Sequence, residues 1–543
     1  MKKLLQPWRL VIVLMFLMIF SSLFSFIYTE QVKLPSDNWS NQLEIDTYNP
    51  KMDFQSLSSN NTTAIAIDDK RFVNIVALNK SLGFKMFNLN GVELSSGEAT
   101  FDHNISEVSG MFIQGRLEII TLSESNDRVS FLTIQPEDFS EMDRKEVTLE
   151  GMTFKLSSNH VTAYDRTRVA LLKDGTTKIY EPGFEGRIEL AEVDQVDGET
   201  IISAITMKGS TYKLSVMTDD GANVYAEDLH ILPSLSAINP VNVTMTVNDG
   251  KAVVISTMKH MRFGNNYVDF FDFNVKTPLD YVHTGYEVDT YEAVPYLIRE
   301  ESGQLSYLIN FWASNLGRTE IAKGVQAYPN LYKTTHGTDE FKQLTKSERS
   351  SVKPSYLKMG QYDYLVHNEQ NDLENKVYLS SNDPEMITAS RDYSQSTLMD
   401  IFLRTITTYP ALILAGIPPM MTVILPLLVI TAPILMFKLN WAEQNKDKMI
   451  MIIFGVFLAS KTYTFGFDIF SFFNNDGLWP PFLQAPSSHW FAYILFSLMT
   501  IFVYINRNRT REGKNDHFLK SISFYVILDL VVMIMFFMPY SII

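Results

Sequence analysis

The sequence of 543 residues contains no cysteine. That absence excludes a disulfide framework, a thiolate-ligated zinc or iron–sulfur centre, and thiol chemistry. Histidine is scarce, with nine residues, and none of them falls in an HExxH, GxSxG or EF-hand pattern. P-loop and dinucleotide fingerprints are missing as well. Charged residues make up only 20% of the chain, below the roughly 25% of an average soluble domain. Aromatic residues reach 13%, so the low charge is not the signature of disorder. The apolar residues are concentrated at the two ends of the chain, which excludes a single soluble globule.

What is present begins with a membrane anchor. Residues 10–28, LVIVLMFLMIFSSLFSFIY, form an uncharged apolar stretch long enough to cross a hydrocarbon core of about 30 Å as a helix. Lys2, Lys3 and Arg9 precede it, and the bulky Leu23, Phe24, Phe26 and Ile27 argue against signal cleavage. Four further spans are expected at 410–437, 449–473, 488–505 and 521–543. The loop 438–448 carries Lys438, Lys446 and Lys448, and the loop 506–520 carries Arg507, Arg509, Arg511, Lys514 and Lys520. The loop between them has neither Lys nor Arg, so the positive-inside rule puts residues 1–9 inside and residues 30–395 outside a cytoplasmic membrane. Thr397 to Asp400 matches a helix capping box, and 397–409 reads as an interfacial helix that turns inward at Pro410.

The net charge of −15 hides two opposite halves. Of 46 basic and 61 acidic residues, 13 and 8 lie outside 30–395, which leaves 33 and 53 in the exterior, a net of −20. Such an exterior is a poor partner for nucleic acid, whose phosphates demand Lys and Arg.

The exterior reads as short β-strands. FVNIVAL (72–78), LEIITL (117–122), VSFLTI (129–134), YKLSVM (212–217), AVVIST (252–257) and LSYLINF (305–311) are rich in β-branched and aromatic residues. Turn signals such as Asn90-Gly91, Asp174-Gly175, Asp220-Gly221 and Asp249-Gly250 punctuate them, and sustained helical periodicity is absent until Thr397. Strand-opening segments near Ile75, Phe112, Val161, Ile201, Val241, Val294 and Tyr356 recur at blade-like intervals of roughly 40 to 60 residues. An all-β domain is expected, a seven- or eight-bladed β-propeller, with a pair of β-sandwiches as the rival. On this spacing the chain resembles the divergent WD40-like propellers anchored to bacterial membranes. The resemblance is architectural, since no Trp-Asp or kelch signature is present, and it implies no family activity.

His103, His160, His230, His260, His283, His336 and His367 are scattered over the exterior without ligand spacing and read as surface or satisfied core residues. The turn Asp194-Gln-Val-Asp197-Gly198 lacks the later acidic ligand of a calcium loop. No catalytic, cofactor-binding or metal-ligating residue is therefore expected, and no cofactor.

The spans hold the more informative group. Lys461 and Asp529 lie at similar depth in two spans of the same direction, and each charge alone would cost at least roughly 2.5–3.5 kcal/mol at the bilayer centre. Mutual pairing is expected, with Asp468 as an alternative partner. Gly416, Pro418, Pro419, Pro426 and Pro433 in the preceding span predict a kinked or partly unwound hinge. The exterior loop with Trp479, Pro480, Pro481, Phe482 and Trp490 is expected at the interface. Together these features predict a membrane protein presenting an acidic recognition domain. Its expected role is an accessory or scaffold subunit of an envelope assembly, export or sensing complex, with the lipid bilayer and other membrane or envelope proteins as partners. The alternatives are a transport protein or transport subunit using Lys461, Asp468 and Asp529, and an envelope enzyme acting at the propeller mouth.

Overall fold

The computed structural model describes residues 6–537 apart from 33, 37, 49–60, 158–159, 197–198, 220–223, 233–237, 249, 261–264, 290–295, 300–304, 312–329, 336–337, 339–340, 347–350, 371–374, 393–398, 400–401, 404, 408, 411–413, 415, 439–440, 442–443, 470–485 and 510–517. The chain divides into two compact units, one of strands (34–315 with 328–391) and one containing the long apolar helices (1–33 with 392–543).

The strand unit is a seven-bladed β-propeller. Each blade is a four-stranded antiparallel meander: β2–β5 (62–100), β6–β9 (105–148), β10–β13 (153–180), β14–β17 (187–231), β18–β21 (238–289) and β22–β25 (296–343) make the first six. The seventh combines β26 (Ser351–Met359), β27 (Tyr362–Gln370) and β28 (Asn375–Ser381) with β1 (Leu43–Tyr48) from the start of the domain. Strand β1 pairs with β28 from Leu43↔Leu379 to Tyr48↔Asn375, and this non-local pairing closes the ring. Tight turns follow from chemistry: Asp174 and Gly175 adopt φ of 51° and 73° between Lys173 and Thr176, the left-handed pair that a two-residue hairpin requires. Gln114 and Gly115 form the same kind of turn without an Asn-Gly or Asp-Gly signal.

The blade count agrees with the lower of the two expected numbers, but the phasing differs. Ile75, Val161 and Ile201 fall on β3, β11 and β15, which are second strands of their blades. These strands are buried on both faces, so they dominate any reading by hydrophobicity, whereas first strands carry more polar positions. Val294 lies outside the described residues. Among the described residues the core of the strand unit is divided between the blades. Seven apolar clusters fill the seven seams between neighbouring blades, from Ile75, Phe84 and Leu117 between blades one and two to Phe72, Tyr364 and Leu379 between seven and one.

One helix was not expected in the exterior domain. Helix α2 (Pro384–Asp392) opens with proline in its first turn, and Asp383 Oδ1 accepts from the Glu385 amide at 2.9 Å. Nine residues are too few for periodicity to stand out.

In the other unit, five helices are long and apolar enough to cross a membrane, one N-terminal and four C-terminal as expected. They are α1 (Pro7–Val32), α3 (Ile417–Phe437), α4 (Lys446–Thr462, continued by a π-helical segment Tyr463–Ile469), α5 (Pro486–Arg509) and α6 (Phe518–Phe537). Met15, Ile19, Leu23, Val423, Phe457, Phe496, Tyr525 and Leu530 share one apolar cluster among them. The capping box at 397–400 lies outside the described residues except for Met399, as do Trp479 to Phe482.

Candidate functional site

Two groups of buried polar side chains stand out, one in each unit. In the helical unit, Lys461 at the end of α4 and Asp529 in α6 are both 0% exposed and form an ion pair. Helix α5 supplies the remaining partners. Lys461 Nζ donates to Ser497 Oγ at 2.8 Å, and Thr500 Oγ1 donates to Asp529 Oδ1 at 2.6 Å. The ammonium also lies 4.7 Å from the Tyr493 ring centroid. Each charge is thus met by its opposite and by a hydroxyl from a third helix, which is the condition under which buried ions are tolerated. Thr462 Oγ1 and Tyr493 Oη are 3.0 Å apart, and Thr422 Oγ1 and Thr464 Oγ1 3.1 Å, so hydroxyl contacts continue the connection between helices.

The helix carrying Lys461 changes its winding immediately afterwards, in the π-helical segment Tyr463–Ile469. Such segments are rare and concentrate where a helix is adapted to a function. Gly466 admits the Trp490 ring, because a Cβ there would lie 2.6 Å from it. Asp468 belongs to this segment by its backbone, and its side chain lies outside the described residues.

The proline group divides between the start and the interior of one helix. Gly416 is the N-cap residue of α3 and Pro418 and Pro419 occupy its first turn, where a missing N–H breaks no bond. Pro426 and Pro433 are internal, yet α3 is continuous from Ile417 to Phe437. Among the described residues a departure from α-helical winding occurs in the following span, at Tyr463–Ile469.

In the propeller, first strands from several blades bring charges together. Lys155 of β10 forms an ion pair with Glu192 of β14 at 2.5 Å and donates to the Val243 carbonyl of β18. Ser157 Oγ donates to Glu192 at 2.5 Å, and His160 Nε2 lies 3.6 Å from it. Burial pushes the Glu192 carboxyl up, but Lys155 and His160 outweigh it and hold its pKa at about 2. Lys353 of β26 donates to Asn61 Oδ1 at 2.6 Å. Glu107 of β6 feels both Lys353 and Lys155, its carboxylate makes no hydrogen bond or ion pair with any described residue, and burial raises its pKa. The result is an alternation of charges running from blade seven through blades two, three and four. Apart from His160, read from sequence as a surface or satisfied core histidine, none of these residues was singled out from sequence. Their separations obey no short spacing, and only the propeller's closure makes them neighbours.

Asp102, His103 and Glu146 place ligand atoms within 4.8 Å of one another. Arg128 already supplies their cation, at 3.1 Å from Asp102 and 3.5 Å from Glu146. This cluster is an ion-pair network about the Arg128 guanidinium.

Fold and sites together define a seven-bladed propeller in one chain with a bundle of apolar helices. No protein-family model and no curated protein matches the chain. Solved structures are similar in fold. They include the WD40 domain of SCAP from fission yeast (TM-score 0.32, 9% identity, 65% of this chain and 100% of that one). An oligogalacturonate lyase in complex with manganese has a TM-score of 0.39 and 9% identity over 64% of this chain and 98% of its own. A sialidase of Trypanosoma rangeli gives 0.34 and 11% over 66% and 62%. At such identities the likeness concerns the fold alone.

Proposed function

We propose that this protein is a membrane-held recognition scaffold, an accessory subunit of an envelope assembly, export or sensing complex, with the propeller outside the cytoplasmic membrane and the N-terminus inside. The observation that carries this reading is the stitching of the two ends of the propeller. Ser40 N donates to the Ser381 carbonyl and Ser381 N to Ser40 Oγ, both at 2.8 Å, and Asn41 N donates to Ser390 Oγ at 3.1 Å. Entry and exit therefore share blade seven, next in sequence to apolar helices on both sides. The two ends of the propeller thus lie in one blade, and the loops of the other six are the surface this reading assigns to a partner.

The absence of cysteine makes the test direct. Single cysteines are placed at exposed Glu150 and exposed Gln444 and exposed to a membrane-impermeant maleimide. The scaffold reading expects Glu150→Cys to react in intact cells and Gln444→Cys only after permeabilisation. It further expects membrane proteins to co-purify in mild detergent and to be lost when loops of blades two to five are replaced. The reverse labelling pattern, or retention of every partner by the loop variants, would refute it.

The π-helical segment beside Lys461 favours a second reading, a transport subunit using Lys461, Asp468 and Asp529. Ion or solute flux in liposomes containing the purified chain, abolished by Lys461→Met, would select it over the scaffold.

A further inference from the structure

Two histidines 53 positions apart meet at the outer rim of blades four and five. His230 lies on β17 (Val224–Ile231) and His283 on β21 (Thr277–Asp289), with ring centroids 4.6 Å apart and planes tilted by 38°. The hydrogen bonds fix which nitrogen of each ring carries the proton. Tyr281 Oη donates to the Leu229 carbonyl at 2.9 Å, so at the 3.1 Å contact with His230 Nδ1 it can only accept. His230 is thereby the Nδ1–H tautomer, with the lone pair on Nε2. His283 Nε2 lies 2.9 Å from Asp269 Oδ1, and a carboxylate only accepts, so His283 carries its proton on Nε2 and its lone pair on Nδ1.

The surrounding residues hold this arrangement. Asp269 pairs across the sheet with Gly285, where a Cβ would lie 2.5 Å from Asp269 Oδ1. Glycine is needed there for the carboxylate to reach His283. Phe271 stacks on His283 at 4.9 Å and 15° and fixes its plane. Burial, reinforced by His283 and opposed by Asp269, lowers the pKa of His230, which favours the neutral form that a ligand must have. The His283 side chain is 33% exposed, so the pair is open to solvent.

We propose that His230 Nε2 and His283 Nδ1 form a two-nitrogen site for a divalent transition-metal ion, with Asp269 and Tyr281 as the residues that orient them. Each imidazole donates its other N–H to a fixed acceptor, the arrangement that sets tautomer and basicity in histidine metal sites. Geometry narrows the metal. An ion about 2.0–2.1 Å from a ligand nitrogen lies about 3.2 Å from that ring's centroid, so centroids 4.6 Å apart subtend about 90° at a shared ion. That angle suits neighbouring positions of tetragonal Cu(II) or Ni(II), water filling the others, better than the tetrahedral angle of zinc.

The test uses the full chain, purified in detergent with a histidine-free tag, stripped by chelator and titrated with Cu(II), Ni(II) and Zn(II). One equivalent of Cu(II) is expected to bind with a two-nitrogen hyperfine pattern in its electron paramagnetic resonance spectrum. Nickel is expected to follow copper, and zinc to bind most weakly. The two-nitrogen pattern should be lost in His283→Phe, which preserves stacking on Phe271, and in His230→Gln. Asp269→Asn should weaken binding by about 10–100-fold while leaving the nitrogen count unchanged. An oxygen-only spectrum in the unsubstituted chain would overturn the proposal even if the variants failed to fold. So would a two-nitrogen pattern that survives the His230→Gln and His283→Phe double substitution, since that pattern would belong to other histidines.

Discussion

Replacing Lys461 by methionine leaves Asp529 as a fully buried carboxylate whose counter-ion is gone. Asp529 would retain only the Thr500 hydroxyl among the partners the structure gives it. Breaking a buried pair in this way costs about 3–5 kcal/mol. At roughly 2–4 °C per kcal/mol for a unit of this size, the helical bundle should melt about 6–20 °C lower. Because the chain has two units, a global melting curve would mix their transitions. A reporter confined to the helices avoids this. Met533 is 0% exposed, and Met533→Cys would be the single thiol in the chain, labelled by a fluorogenic maleimide only when the bundle opens. The double variant Lys461→Met with Asp529→Leu should regain most of the loss, since a well-packed apolar pair often replaces a buried ion pair without penalty. Charge exchange, Lys461→Asp with Asp529→Lys, should recover it in part, because Ser497 and Thr500 can donate or accept but are positioned for the present polarity. If Lys461→Met lowers the transition by less than about 1 kcal/mol, or if both double variants are as unstable as the single one, the pairing does not hold these helices together.

Three further outcomes follow from the propeller. Trp39 is buried in the seam of blades six and seven and its Nε1 donates to Ser380 Oγ at 3.0 Å, so Trp39→Ala should cost about 3–5 kcal/mol and expose β1 and β28 first to hydrogen exchange. Uniform protection loss over all blades would contradict a local seam. Acid should destabilise the propeller in two steps. Burial holds the His367 pKa down at about 3 against an ordinary 6.5, so its contribution is present above pH 6.5 and lost as pH falls through that window. Glu192, at about 2 against 4.5, adds stability present above pH 4.5 that disappears between 4.5 and 2, worth about 3 kcal/mol, and Glu192→Gln should flatten that second step in acid titrations followed by circular dichroism. Glu107 has the opposite sign. Its folded carboxyl holds the proton more tightly than the unfolded one, so Glu107→Gln should raise the melting temperature at neutral pH and bring no gain well below pH 4.5. An equal gain at both pH values would show that burial of the charge is not the cause.

Much of the architecture was legible because it rests on local patterns. Long uncharged runs such as 10–28 are helices in any context that lacks water, and hairpin chemistry such as Asp174-Gly175 forces a reversal wherever it occurs. Lys461 could be joined to Asp529 from sequence because a helix rises by a fixed amount per residue, and the two side chains form an ion pair. Ser497 and Thr500 were not foreseen, since serine and threonine are common in apolar helices and only packing shows which of them face a charge. Blade boundaries were blurred for a related reason: the most hydrophobic strands, β3 and β15, are second in their blades. Helix α2 was too short to announce itself, and the π-helical turn after Lys461 has no residue signature.

By itself, the sequence determined the composition of each unit: apolar helices at both ends, short strands between them, acidic charge on the strands, and no cysteine to staple either part. Periodicity, turn chemistry and desolvation are local, and each can be read from neighbouring residues. Tertiary structure alone decided the closure of β1 onto β28, the filling of seven seams, the approach of Glu107 to Lys155 and Lys353, and the meeting of His230 with His283. These depend on contacts between residues tens to hundreds of positions apart. Such contacts form only when the ring closes and brings strand edges together that no local rule connects.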